Sequence, residues 1–195
     1  EMGGTEAYAR ALLNAGLTSK LYDSVQEFSY LYNKLYTSFY GEGGSRAMTD
    51  EEFNAYFTQN YISAAQIMLD LQDDDGNALD EAGIAAAKST LENLAARARS
   101  GEDFNTLAQE YSEDTGLETY PDGYTFKQGD MVTEFYDAAM ALEVGQISDV
   151  VESSYGLHII KRLPLDTEYL TENKQSLMDS YYSSDFNTFV GELVE

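Results

Sequence analysis

The sequence predicts an α+β fold in which helical chain ends enclose a mixed middle. Three observations carry this. Apolar side chains recur at alternating steps of three and four over 21–39 and again over 178–193, the spacing of one helix face. Between them lie β-type runs, ISAAQIML at 62–69 and LHIIKRL at 157–163. Neither end can bury its stripe alone, so the N-terminal part (1–61) and the C-terminal helix (165–195) are expected to pack as one discontinuous all-α domain around an inserted domain at 62–164. The same stripes would also serve a homodimer through the terminal helices; intramolecular packing is the expectation.

In chain order, residues 1–20 are mixed and rich in small side chains. Leu21, Val25, Phe28, Tyr32, Leu35 and Phe39 define a helix over 21–40, which GEGGS at 41–45 breaks. Thr49 or Asp50 caps the next helix, with Glu51 and Glu52 at its positive end and Phe53, Tyr56 and Phe57 on its apolar face, up to Tyr61. The strand at 62–69 leads into QDDDGN, a loop by composition. From Leu79 to Arg99 the chain is alanine-rich and strongly helix-forming, and Ser100-Gly101 stops it. Asp103 caps a short helix through Tyr111. Residues 112–131 read as loop, with Pro121, Asp122, Gly123 and Gly129 as turn residues. A helix resumes over 132–142 with Phe135, Ala138, Ala139 and Leu142 inward, and Gly145 breaks it. ISDVVES and LHIIKRL, joined at Ser154-Tyr155-Gly156, read as a hairpin that Pro164 ends. The tail over 167–194 is helical, with Met178, Tyr182, Phe186, Phe189 and Leu193 on one face.

Composition narrows the chemistry. At 195 residues and 43% hydrophobic content the chain can bury a real core. It has no cysteine and one histidine, which rules out disulfides and thiolate catalysis and leaves no basis for a zinc site. The formal charge of −24 disfavours nucleic acid and anionic membrane surfaces as partners. No apolar run is long enough to span a bilayer. DDDGN invites a calcium-loop reading, but taking Gly76 as the sixth position puts Leu71 first and Ala82 twelfth, neither a ligand. The 16 tyrosines, dense around 30–40, give broad aromatic helix faces suited to packing, or to loose binding of unfolded chains.

Several phrases stand in a meaningful order. Ala64-Ala65-Gln66-Ile67-Met68-Leu69 opens the series, and Gly101-Glu102-Asp103-Phe104, Leu107-Ala108 and Tyr111-Ser112-Glu113-Asp114 follow. Next come Phe126-Lys127-Gln128-Gly129-Asp130-Met131-Val132 with Glu134-Phe135 and Ala138-Ala139, then Leu142-Glu143-Val144-Gly145-Gln146-Ile147-Ser148. Tyr155-Gly156-Leu157-His158-Ile159-Ile160 closes it. Over roughly 62–164 this order resembles the parvulin family of peptidyl-prolyl isomerases. The flanking helices resemble those of secreted foldases in which both chain ends form a chaperone domain around such an isomerase. The resemblance implies a small antiparallel four-stranded sheet with surrounding helices, inserted in the all-α domain.

It also implies the site. Met131 and Phe135, with Phe126 and Tyr124 as walls, are the expected substrate-binding residues that cup a proline ring. His158, Asp114, Gln66 and Ser153 are the expected catalytic network: His158 on the floor, Asp114 near the substrate carbonyl, and Ser153 bridging. Read without the resemblance, Met131 and Phe135 are core residues, Asp114 a helix cap and Ser153 a turn residue. Prolyl isomerisation needs no cofactor or metal, so none is expected.

The pattern also breaks. Gln66 stands where the family carries a histidine; glutamine both donates and accepts but cannot change charge. Tyr120-Pro121-Asp122-Gly123-Tyr124 replaces a Gly-Gly-Asp-Leu-Gly turn, so that Gly123 stands where a pocket leucine is expected and Tyr124 takes up its space. Phosphate-directed members carry a basic loop after the first strand, whereas this chain has Asp70, Asp73, Asp74 and Asp75 there. The stretch 62–164 holds 20 acidic and 6 basic residues, a net of −14, and is expected to prefer unphosphorylated, neutral or basic segments beside proline. The expected activity is peptidyl-prolyl isomerisation in aid of exported, unfolded or partly folded chains with exposed proline segments. The alternative is a non-catalytic holdase or surface binding module with a degenerate parvulin domain. The expected location is extracytoplasmic, at a bacterial cell surface or membrane-anchored, with the export signal absent from this chain.

Overall fold

A computed structural model describes residues 14–16, 18–72 and 76–193. The chain divides into two compact units: residues up to Phe53 together with those from Gln175 onward, and Asn54–Lys174. Asp73, Asp74 and Asp75 of the acidic loop, and the calcium-loop reading built on them, lie outside the described residues.

The first unit joins helix α1 (Ser19–Tyr40) to the end of the C-terminal helix α6 (Thr167–Glu192). Thr18 caps α1, its Oγ1 accepting from the Leu21 N–H at 3.1 Å. The apolar spacing seen in the sequence becomes a ring cluster: buried Phe186 packs edge-on against Tyr32, Tyr36 and Tyr40, and Tyr40 stacks on Tyr182 at 4.7 Å. Polar tips are satisfied around it. Tyr182 accepts from the Met48 N–H at 2.9 Å, while Tyr40 donates to Asp185, which also pairs with Arg46 at 3.0 Å. Burial and the Asp185 carboxylate push the Tyr40 phenol up to about 12. Helices from opposite chain ends thus share one core.

The second unit is built on a four-stranded sheet in the order β2-β1-β4-β3. Its strands are β1 (Tyr61–Leu69), β2 (Tyr124–Lys127), β3 (Val151–Ser153) and β4 (Gly156–Leu163), and every pairing is antiparallel. Helix α2 (Asp50–Asn60) leads into β1 after a Thr49–Glu52 capping box. Helices α3 (Glu81–Arg99), capped by Asp80, and α4 (Phe104–Tyr111), capped by Asp103, cover one sheet face. There Ala65, Ile67, Leu157 and Ile159 meet Leu91, Leu94, Phe104 and Leu107. Helix α5 (Thr133–Ala141) covers the other, where Ile62, Ala64 and Ile160 meet Phe126, Phe135 and Ala139. The central strands β1 and β4 are buried on both faces over Tyr61–Ala65 and Gly156–Ile160, which explains why apolar residues follow one another there without strict alternation.

Three local readings need correction. Strand β2 and a 3-10 turn at Thr115–Glu118 lie inside the stretch read as loop. β2 has only four residues and is specified by its pairing with Tyr61–Ala64 rather than by its own pattern. The hairpin's first strand is shorter than ISDVVES; Ile147 makes only an isolated bridge to Lys161. Met131, whose spacing of four from Phe135 reads as a shared helix start, instead lies two residues ahead of α5, because Val132 occupies the helix-cap position.

Candidate active site

Strand alternation places the site. Along β1, Ala65 and Ile67 face α3 and α4, so Ala64, Gln66 and Met68 face the other way. Along β4 the same rule turns His158 and Ile160 to that second face. The register pairs Met68 with His158 and Gln66 with Ile160, which makes Gln66 and His158 diagonal neighbours.

A line of hydrogen bonds joins the polar residues. The His158 Nδ1 lies 2.8 Å from Gln66 Oε1, and Ser153 Oγ lies 2.7 Å from His158 Nε2. Gln66 Nε2 donates to Asp114 Oδ2 at 2.7 Å, and the Tyr124 hydroxyl donates to the same oxygen at 2.7 Å. Asp114 Oδ1 accepts from the Gly116 N–H at 2.8 Å, capping the 3-10 turn. The same carboxylate thus caps the turn and receives Gln66 and Tyr124. The donors fix the polarity. A carboxylate facing Gln66 demands the amide N–H, which turns Oε1 toward His158; the imidazole then carries its proton on Nδ1, and Nε2 accepts from Ser153. The Tyr155 N–H completes the line by donating to Ser153 Oγ at 3.1 Å.

The local sequence supports this geometry at two glycines. A Cβ on Gly116 would sit 2.1 Å from the Tyr124 hydroxyl, so glycine lets the phenol reach Asp114. Gly123 has φ +112°, and a Cβ there would lie 2.8 Å from the Ala64 carbonyl oxygen. A leucine at 123 does not fit this backbone. Tyr124 supplies the wall instead, with burial and then Asp114 pushing its phenol pKa up.

A cavity of about 750 Å³ opens beside the line of hydrogen bonds. Gln66, Asp114, Tyr124 and His158 form its polar side, and Met68, Met131, Val132 and Phe135 its apolar side. The Phe135 ring meets the His158 ring edge-to-face at 5.9 Å. Two of the expected site residues do not line it. Phe126 stands behind Phe135, ring centres 5.6 Å apart, and Ser153 is buried beneath His158. The sequence reading missed Met68, which alternation from Gln66 assigns to the same face, and Ser112. The Ser112 Oγ accepts from the Met68 N–H at 3.0 Å and the Asp114 N–H at 3.3 Å, tying the acid to the strand. Among the described residues no cluster of acids or histidine is placed to hold a metal ion.

Burial pushes the His158 pKa down, the Asp114 charge pulling partly back. In the unfolded chain the ring protonates near about pH 6.5. Because the folded protein binds that proton less readily, the stability this neutrality contributes is full above about pH 6.5 and is lost as pH falls below it toward the depressed folded value. Being the only histidine, it has this window to itself. Thermal unfolding of the wild type should therefore drop between about pH 7.5 and about pH 5.5 more steeply than that of His158→Asn. Parallel slopes would contradict the neutral assignment.

The profile of the family described as "Rotamase: PPIC-type PPIASE domain" matches residues 67–163. Foldase protein PrsA of Oceanobacillus iheyensis is 38% identical over 117 residues, 58% of this chain and 34% of that protein. Foldase protein PrsA 4 of Bacillus cereus is 49% identical over 75 residues, 38% of this chain and 27% of that protein. The match thus spans about a third of these curated relatives or less. The crystal structure of peptidylprolyl isomerase (PrsA) from Bacillus cereus aligns with TM-score 0.49 at 24% identity, covering 94% of this chain and 62% of that one. The solution structure of NmPin, the parvulin of Nitrosopumilus maritimus, aligns with TM-score 0.41 at 31% identity, covering 54% and 97%.

Proposed function

Residues 67–163 belong to the PPIC-type peptidyl-prolyl isomerase family, and from that premise we propose that the chain is a peptidyl-prolyl cis–trans isomerase acting as a foldase on unfolded or partly folded polypeptides. The observation that carries it is one cavity in which an apolar cup, Met131 and Phe135, faces a hydrogen-bonded polar wall, Gln66, Asp114 and Tyr124.

The chemistry asks for little more. Rotation about an X-Pro bond breaks amide resonance, a barrier of roughly 18–20 kcal/mol. Nothing covalent forms. The site must hold the twisted amide, with its pyramidal nitrogen and altered dipole, better than the planar one. The cup grips the pyrrolidine and strips its water. The polar wall presents dipoles already oriented, so none must reorganise as the amide twists. His158 has both nitrogens occupied, by Gln66 and Ser153, and is a positioning residue that fixes the Gln66 amide. Exchange spectroscopy on a short Ala-Pro peptide tests the reading: acceleration by the wild type supports it, and none at micromolar enzyme overturns it.

The cavity lining bears on substrate choice. Asp70, Glu113, Asp114 and Asp130 lie around it, and among the described residues no lysine or arginine does. A phosphoserine-proline peptide should turn over several-fold more slowly than its unmodified counterpart; faster turnover would contradict this reading.

A second reading, holdase action without turnover, is favoured by one observation. Leu21, Val25, Phe28 and Leu31 along α1 are each 48–64% exposed. Aggregation assays on an unfolded client separate the two, since holding would survive loss of the cup. An extracytoplasmic setting is part of the proposal, on the strength of the foldase relatives. No helix among the described residues is long and apolar enough to cross a membrane.

A further inference from the structure

A second depression adjoins the isomerase cavity. It has a volume of about 580 Å³ and lies between the 119–125 turn, the outer strand β2 and the first turns of α6. The two spaces adjoin at Tyr124, Asp130 and Met131, which line both, so residues flanking a proline ring at Met131 lie within reach of it. We propose that this groove takes a lysine or arginine side chain of the client beside the proline. The inference rests on the isomerase reading and adds to it a subsite with its own specificity.

Three features of the groove select a cation. Its lining carries Asp122, Asp130, Asp166 and Glu172, and among the described residues no lysine or arginine. Three of these exposed carboxylates accept hydrogen bonds, two of them from the backbone. Asp166 Oδ1 accepts from the Glu168 and Tyr169 N–H groups at 2.9 Å, Asp130 Oδ2 from the Lys127 N–H at 3.0 Å, and Asp122 Oδ1 from Asn105 at 3.4 Å. Each keeps its other oxygen without a protein donor among the described residues, so accepting from a ligand needs little rearrangement. Between the acids lie tyrosines 120, 124 and 169, with the Tyr120 and Tyr124 rings 5.2 Å apart. Elsewhere in this unit aromatic faces have their cations from within the chain, Arg97 over Tyr111 at 5.3 Å and Lys127 over Tyr61 at 5.7 Å. The groove combines rings and acids and has no such internal cation among the described residues. Alkyl stems of lysine or arginine lie well along such rings while the charged head reaches carboxylate. The field is felt locally: burial, then Tyr120, Asp130 and Asp166, push the Tyr169 phenol pKa up.

The test uses the full chain and three peptides with an Ala-Pro core, flanked by lysine, glutamine or glutamate. Binding is followed by amide NMR titration and turnover by exchange spectroscopy. The lysine peptide should bind about five- to tenfold tighter than the glutamine peptide, with shifts at Tyr120 and Glu172, and glutamate weakest. Asp122→Lys with Glu172→Lys should erase that order while leaving glutamine-peptide turnover unchanged. Glu92→Lys, with the charge change on the exposed side of α3, should preserve it. Equal affinities for the three peptides, or a lysine preference that survives the groove reversal, would overturn the subsite. Should the lysine peptide bind here with no peptide isomerised, the subsite stands and the isomerase reading falls. Turnover without charge preference would remove the subsite and leave the isomerase reading standing.

Discussion

Met131→Ala should lower kcat/KM for an Ala-Pro peptide by about tenfold to a hundredfold while the protein remains folded. Met131 precedes α5, is only half-buried, and presents its side chain to the cavity. Removing it takes away apolar surface that a bound pyrrolidine would otherwise cover, worth about 1.5–3 kcal/mol for a fully buried methionine. That contact matters in the transition state only if the ring is held while the amide twists, so a fall in kcat with KM little changed is the informative result. Phe135→Ala is a poorer probe, because Phe135 is 3% exposed and packs against Phe126 and His158. Its loss should cost about 3–5 kcal/mol of stability and confuse the two effects. Met140→Ala, on α5 but half-exposed, is the matched control and should change neither. Unchanged turnover in Met131→Ala would remove the cup from the mechanism.

Asp114→Asn should be the most damaging polar change, lowering turnover by about tenfold or more and stability by about 1–3 kcal/mol. The carboxylate accepts from Gln66, Tyr124 and Gly116 together, and an amide there can accept only on its oxygen. The new NH₂ can instead donate to Gln66 Oε1, which lets the glutamine turn over and reverses the line of hydrogen bonds. Imidazole nitrogen shifts read this directly. The wild type should show a neutral ring protonated on Nδ1, and Asp114→Asn a population protonated on Nε2. Gln66→His completes the argument, because an imidazole at 66 can donate toward Asp114 and accept from His158, keeping the polarity. Its turnover should equal or exceed that of the wild type, with a new pH dependence near about pH 6.5. A wild-type ring protonated on Nε2 would contradict the assigned polarity.

Much of the architecture was legible because it follows from local periods. Three-to-four spacing over 21–39 and 178–193 marked the helices that enclose Phe186, and caps at Thr49 and Asp103 marked where helices begin. Strand β2 was not legible, since four residues with one buried side chain make no pattern. That Met131 and Phe135 line a cavity was legible only through the resemblance to a family, as a methionine and a phenylalanine in an apolar stretch look like any core. Gly123 appeared as a lost pocket residue; its positive φ and the Ala64 carbonyl beside it show a backbone turn that requires glycine.

By itself the sequence determined which side chains of a single strand share a face: alternation puts Gln66 with Met68, and His158 with Ile160, because a strand's period is two, while the pairing register brings the two sets to the same side of the sheet. It also determined that one histidine and no cysteine would be available to any site. Only the tertiary structure decided that Asp114 receives both Gln66 and Tyr124, and that a depression lined by acids and rings adjoins the cavity. The bond from Gln66 to Asp114 spans 48 residues and that from His158 to Gln66 spans 92. Contacts at such separations are fixed by packing of the whole domain, and local spacing carries no record of them.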